Sequence, residues 1–435
     1  MTVMETEGRG VFPLTRTQRG LWAAQMREPA VPFVIGQYLE IFDELDIDAL
    51  RRAARVAAIE FGSGVLRIVE VDGEPFQCVD ASPERCVELV DLTGHADPVG
   101  AAHDWMQSDC ATPVAITENQ LVTSALLRVG QEHYFCYVRA HHLALDGYGV
   151  MSMVRRTAQL YNADIVGTPA PPSRAQDPGS LAALEERYRN SPRFGDDRRY
   201  WRDRLSSLSV EDDNRVMATV PRKCTAELSA AHRRDLEVLA GETGGMAAVV
   251  IAALASFFGD RSGRPDVVLG LTTSGRTSRI MRDSAGSFDN VVPLLLSDVA
   301  DSPVETLIDT ARTTLLGALR HQRYRFEDMQ RDRGVPSSGR PFGPVVNLRL
   351  NERAVELAGH RAGVGMLTSG PVQDLQVDVY HDGLGSLHID LLGNSRTYGA
   401  RELSDLHRSL MRFVEQFAAQ ARRPVRKLAL VPPLS

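Results

Sequence analysis

The chain has 435 residues, 43% of them apolar and 24% charged, with a formal net charge of −7. Those proportions belong to a globular protein with a core and exclude a disordered or fibrous chain. The acidic surplus argues against nucleic acid as the main partner, because phosphate binding draws on a basic surface.

The elements alternate along the chain. Helical spacing predicts a helix over Thr15 to Met26, a strand over Ile35 to Asp43, and a helix over Asp46 to Phe61 with Leu50, Ala53, Ala54, Ala57 and Ala58 on one side. Val65 to Val71 and Pro75 to Val79 flank Asp72-Gly73 and predict a hairpin. A helix over Ala101 to Cys110, strands over Leu121 to Val129 and His133 to His142, and a helix over Tyr148 to Tyr161 follow. Thr168 to Ser180, TPAPPSRAQDPGS, carries four prolines and marks a border between residues 1–175 and 176–435. Beyond it, helical text runs from Leu181 to Leu208 with a break near Pro192. Further helices are expected over Ser229 to Ala240, Gly245 to Phe258, Val304 to His321 and Glu402 to Ala421. Strands are expected over Val267 to Thr273, Val291 to Leu296, Val345 to Leu350, Leu375 to Tyr380 and Leu387 to Leu392. Interleaved strands and helices make the class mixed α/β.

Five cysteines, Cys78, Cys86, Cys110, Cys136 and Cys224, are few, odd in number and free of C-x-x-C pairs. A disulfide scaffold is excluded, structural zinc has no support, and a reduced cytoplasmic compartment is the expectation. The N-terminus lacks an apolar h-region, and the longest mostly apolar run, Met246 to Phe258, is too short to span a bilayer. No membrane partner is expected.

One segment concentrates chemistry: Tyr134 to Gly149, YFCYVRAHHLALDGYG. Alternation along a strand separates His141 and His142 onto opposite faces where the strand runs out. Asp146-Gly147 turns into the next helix, and glycine there permits an unusual backbone angle. Three readings stand. A metal site of His141, His142 and Asp146 is disfavoured, because neighbouring histidines on opposite faces chelate one ion poorly. The histidines are satisfied in a core, with Asp146 capping the helix. Or one imidazole faces substrate as an acid–base group while the carboxylate orients the loop.

The segment His141-His142-Leu143-Ala144-Leu145-Asp146-Gly147 resembles the HHxxxDG signature of nonribosomal peptide synthetase condensation domains. Other blocks occur in that family's order. Thr17-Gln18-Arg19-Gly20-Leu21-Trp22 is similar to its N-terminal block, with Thr17 for alanine, and Leu66-Arg67 to its LRxxF block, with Glu70 for phenylalanine. Gly286 to Leu294 resembles GxFxNxxPL, His321 to Tyr324 resembles HQxY, and Pro344-Val345-Val346-Asn347 resembles a later strand block. RHQRY at Arg320 to Tyr324, FGPVVN at Phe342 to Asn347 and SGPVQDL at Ser369 to Leu375 resemble the N-terminal condensation domain of enterobactin-type siderophore synthetases. Tyr148-Gly149 departs from the tryptophan and serine common after the motif. Gly147 and the paired histidines separate the chain from epimerization and heterocyclization domains.

The resemblance implies two chloramphenicol-acetyltransferase-like lobes in a V-shaped pseudodimer with a central tunnel. It implies amide formation between a donor acyl or aminoacyl thioester and the amine of an acceptor aminoacyl thioester. Both ride on phosphopantetheine arms of donor and acceptor peptidyl or aryl carrier proteins, with no tightly bound cofactor and no metal. An aryl or acyl donor of siderophore type fits the narrower likeness. The resemblance makes His142 the catalytic residue, His141, Asp146, Gly147 and Arg67 its support, with Asp146 paired to Arg67, and Asn290 and Asn347 tunnel-lining or strand-stapling. It implies a monomer or part of a larger synthetase, and Val431-Pro432-Pro433 resembles the start of a linker. No carrier, adenylation, G-x-S-x-G or P-loop motif occurs. The alternatives are an acyltransferase of the same fold with a soluble acceptor or an ester product, and a non-catalytic recruitment domain.

Overall fold

A computed structural model describes residues 4–6, 9–80, 87–206, 217–243, 245–334 and 342–419. Cys86, Val431-Pro432-Pro433 and the end of the helix expected to reach Ala421 lie outside them.

Local signals place most elements. Strands β1 (Met4–Thr6) and β2 (Arg9–Pro13) lead into helix α1 (Arg16–Arg27). Thr15 and Gln18 close a capping box at its start, so two orphan amides of the first turn are satisfied. Strand β3 (Val34–Ile41) precedes helix α2 (Ile47–Phe61), capped by the Asp46 side chain. The hairpin β4 (Leu66–Val71) and β5 (Glu74–Val79) turns on Asp72 and Gly73 at φ of 52° and 80°, the pairing that Asp-Gly favours. Strand β6 (Glu88–Asp91), helix α3 (Pro98–Ala111), strands β7 (Val122–Arg128) and β8 (Tyr134–His141), and helices α4 (Gly147–Val166) and α5 (Pro178–Arg189) follow.

Helix α6 (Pro192–Leu205) starts at the expected proline break. Then come β9 (Pro221–Glu227), α7 (Ala230–Thr243), α8 (Met246–Ser262), β10 (Val267–Thr273), α9 (Arg279–Arg282), β11 (Asn290–Leu296), α10 (Val304–Arg320) and α11 (Phe326–Asp332). The chain continues through β12 (Val345–Arg349), β13 (Val355–Leu357), β14 (His360–Thr368), β15 (Leu375–His381), β16 (Leu387–Asn394) and α12 (Ala400–Ala419).

Two compact units form. The first holds residues 1–192, 276–289 and 353–371, and the second the rest. This division differs from a border at 175/176, because α5 stays with the first unit: Gly179 lies so close to Phe12 of β2 that an added Cβ would sit 2.4 Å from its ring.

The first unit carries a four-stranded antiparallel sheet, β1-β2-β5-β4, and a six-stranded sheet, β13-β14-β3-β8-β7-β6. All neighbours in the larger sheet are antiparallel except β6 and β7. One cluster packs Ala102 and Met106 of α3 with Phe135 and Tyr137, and another packs α2 and α4 around Leu39, Leu50, Ala53, Met151 and Tyr161. The second unit is built on the mixed sheet β11-β10-β12-β15-β16-β9. Its centre is α8, nearly all apolar and buried among α7, α10 and α12, with the Ser256 hydroxyl donating to Ala252 O so that no polar group is stranded. Among the described residues no single helix is long and apolar enough to cross a membrane.

Candidate active site

The site lies in the first unit, where β8 stops and α4 begins. His141 is the last residue of the strand and fully buried. Its Nδ1 accepts from Leu143 N at 3.1 Å, so the ring proton sits on Nε2 and is donated to Gln25 Oε1 at 3.0 Å. Gln25 is fixed in turn by Nε2 contacts to the carbonyls of Glu28, Pro29 and Val31. Burial, with His142 and Arg139 nearby, pushes His141 down to about 3. This ring is a structural neutral imidazole.

Its depression has a thermodynamic consequence. The unfolded ring binds a proton below about 6.5 and the folded ring does not, so the unfolded state gains protons as pH falls. The stability carried by the neutral ring is complete above that value and declines as pH drops from about 6.5 toward about 3. We expect the denaturant midpoint of His141→Gln to fall less steeply than that of wild type across this window. The difference in slope approaches one proton, about 1.4 kcal/mol per pH unit. Parallel slopes contradict it.

His142 points elsewhere. Its backbone N–H donates to Phe33 O at 2.8 Å, and its side chain keeps 12% of its surface exposed. Nε2 donates to the Ser369 carbonyl at 3.2 Å, which leaves the ring's lone pair on Nδ1, 4.0 Å from Asp289 Oδ2. Gly370 makes room for the ring: it lies at φ +113°, and a Cβ on it would sit 2.8 Å from Nε2.

Asp146 is the latch. Oδ1 caps α4 through Gly149 N at 2.7 Å. Oδ2 accepts from Arg276 Nη1 at 2.6 Å, Phe288 N at 2.8 Å and Asp289 N at 3.2 Å. Arg276 is buried, donates also to Gly286 O, and lies between the rings of Tyr148 (4.4 Å) and Phe288 (4.8 Å). The expected Asp146–Arg67 pair does not form. Arg67 sits on β4, half-exposed, and bonds Asp80 at 3.3 Å and Glu118 O at 3.4 Å. Asp146 is thus linked to 276–289, the segment that carries the Asp289 carboxylate toward His142.

Gly147 also needs correction. It does not adopt positive φ, and a Cβ there would make only an ordinary 3.6 Å contact with Gln37 Nε2. We expect Gly147→Ala to melt within about 1 kcal/mol of wild type, since a helix N-terminus with open space accepts alanine; a drop of several kcal/mol in a denaturant titration contradicts this. The demanding glycine is Gly149, whose added Cβ would lie 2.9 Å from Gly286 O. Tyr148-Gly149 is therefore a matched pair: the ring covers Arg276 and donates to Arg282 O at 3.1 Å, while the glycine lets Gly286 approach.

Gln18 of the N-terminal block donates to Leu143 O at 2.9 Å and to Gln77 Oε1, so α1 holds the motif loop. In the second unit, Asn290 donates to Gln322 O and Tyr324 O, both at 2.9 Å, and accepts from Phe326 N. It staples the His321 to Tyr324 turn. Asn347 lies in β12 opposite Asp378, whose carboxyl burial raises above the usual range. Gln25, Gln37 and Arg276 carry no local signature, whereas Asp289 falls inside the Gly286 to Leu294 block and Ser369 and Gly370 open the SGPVQDL block, though neither block marks them as neighbours of His142. Among the described residues no cluster of three or more His, Cys, Asp or Glu side chains is placed to hold a metal ion.

A strand-end histidine pair, an aspartate latch and a helix start thus make up the site. The condensation domain family model matches residues 8–435, and the chain belongs to that family. Family members form amides between carrier-borne substrates in nonribosomal peptide synthesis. The chain is 31% identical over 431 residues to an isonitrile lipopeptide synthase of Streptomyces coeruleorubidus, covering 96% of this chain and 29% of that one. It is 28% identical to enterobactin synthase component F of Escherichia coli O157:H7, covering 94% and 32%. It thus spans under a third of the length of those relatives. The first condensation domain of the calcium-dependent antibiotic synthetase, in complex with a substrate analogue, superposes with a TM-score of 0.89 at 29% identity, covering 98% and 100%. The starter condensation domain of rhizomide synthetase, in complex with C8-CoA and Leu-SNAC, gives 0.90 at 28%, covering 97% of each.

Proposed function

We propose that this chain joins an acyl or aryl donor thioester to the amine of an acceptor aminoacyl thioester, both delivered on phosphopantetheine arms of partner carrier proteins. The acceptor nitrogen attacks the donor carbonyl, a C–N bond forms, and the C–S bond breaks. His142 carries the proton from the amine to the leaving sulfur, so the overall transfer is balanced. Holding two tethered reactants together supplies a further several kcal/mol of the barrier. The observation that carries this reading is the His142 imidazole: partly exposed, with one lone pair facing Asp289 and the other nitrogen anchored on Ser369 O. His141 holds the strand end and Asp146 the loop. An acyl or aryl donor is supported by the lipopeptide, enterobactin and starter-domain relatives. Thiols at Cys110, Cys136 and Cys224 suit a reducing cytoplasm.

The test supplies donor and acceptor loaded on separate carrier proteins and follows the acceptor carrier by intact-protein mass spectrometry. The expected result is donor mass appearing on the acceptor carrier. Product that needs no acceptor carrier, or none with any loaded pair, overturns the reading.

A further inference from the structure

The first unit holds a cavity of about 230 Å³ between its larger sheet and helices α2 and α4. Leu50, Ala54, Ala58, Cys136, Val138 and Met153 line it, and the walls are mostly apolar. The next position along the same sheet face is different. Gln37 pairs directly with Val138 across β3 and β8, and Leu39, two residues on, belongs to the cavity wall. Gln37 is 2% exposed, yet neither its Nε2 nor its Oε1 has a hydrogen-bond partner among the described residues. Its amide lies 3.6 Å from where a Cβ on Gly147 would stand, beside the motif turn.

A buried amide with both ends unpaired is costly, and folded proteins rarely keep one without a use. Here it stands between an apolar pocket and the turn that carries His142. Arg51, Arg55, Glu88 and Gln120 also border the pocket, and Gln37 stands next to its wall rather than in it; a mostly apolar pocket beside a buried, unpaired amide suits a mainly hydrophobic ligand with a polar substituent.

We propose that Gln37 is a specificity-determining residue. Its amide hydrogen-bonds a polar substituent near the thioester end of the donor acyl chain, a 3-hydroxyl being the simplest, while the chain's apolar tail fills the cavity. This deepens the reading above and rests on the chain taking an acyl donor.

The experiment loads one donor carrier with octanoyl or 3-hydroxyoctanoyl groups and compares kcat/KM for amide formation. It also measures thermal shifts with the matching non-hydrolysable pantetheine amides, which read the pocket without any product. Wild type is expected to favour the 3-hydroxy donor by about tenfold, the discrimination one buried hydrogen bond provides. Gln37→Leu erases that preference in both readouts and melts no lower than wild type, because it removes an unpaired amide. Ala54→Phe shortens the tolerated tail, losing octanoyl while retaining butanoyl. Equal use of both donors by wild type overturns the proposal. So does a Gln37→Leu variant that melts lower with its preference unchanged, which makes the amide a structural group. A 3-hydroxy preference in thermal shifts with no amide product sinks the reaction and spares the pocket; product without preference does the reverse.

Discussion

His142→Ala lowers amide formation by roughly 10²–10⁴-fold, the range a positioned acid–base group contributes, while the melting temperature stays at the wild-type value. The physical basis is the contrast between two neighbouring rings. His141 is sealed in the protein with both nitrogens engaged, on Leu143 N and Gln25. His142 bonds through one nitrogen to a backbone carbonyl and keeps part of its surface open. Truncating the second removes a proton carrier and little packing. Single-turnover transfer between loaded carriers, followed beside a thermal melt, separates the two quantities. Retained activity, or a collapse of the fold, contradicts the assignment of His142 to chemistry.

Asp146→Ala has the larger effect on stability. It strips the Arg276 guanidinium of its carboxylate in a place where both side chains are nearly inaccessible, 0% and 2% exposed. Breaking a buried pair from one side costs about 3–5 kcal/mol, because a charge remains without its partner. The loss of the α4 cap adds about 1 kcal/mol. The amides of Phe288 and Asp289 lose an acceptor as well, so the Asp289 carboxylate drifts from His142 and activity falls with stability. The double variant Asp146→Leu with Arg276→Met should melt well above the single variant, since an apolar pair replaces the ion pair without a stranded charge. A single variant with an unchanged melt shows that the latch is dispensable.

The motif and its immediate geometry are legible in the chain because they are local. Alternation along β8 separates the two histidines, and the Asp-Gly step starts the helix within hydrogen-bond reach of its own first amides. The partner of Asp146 is different. Arg276 is 130 residues away, in a stretch with no periodic pattern, and Arg67 looks equally suitable from its motif position. Proximity in a three-dimensional contact, not residue type, chooses between two arginines. Gly147 illustrates a second limit: a glycine after an aspartate suggests a special backbone angle, but the backbone there is ordinary and the crowding falls at Gly149 instead.

Strands and helices with strong period were found close to their expected bounds from α1 to α10, with α4 running on to Val166, and α12 starts close to its expected residue. Elements whose stability comes from pairing were not. β13 is only three residues long and β14 is interrupted by Gly363 and Gly365, and they exist because β14 hydrogen-bonds β3, more than three hundred residues earlier in the chain. What the amino-acid sequence by itself determined is therefore the class of the fold, the order of its main elements and the separation of the two neighbouring histidines, all products of short-range pattern. Tertiary structure alone decided which arginine holds the loop, which carboxylate and carbonyl flank His142, and where an unpaired amide meets an apolar cavity. Those depend on surfaces brought together from distant parts of the chain, and no local periodicity encodes them.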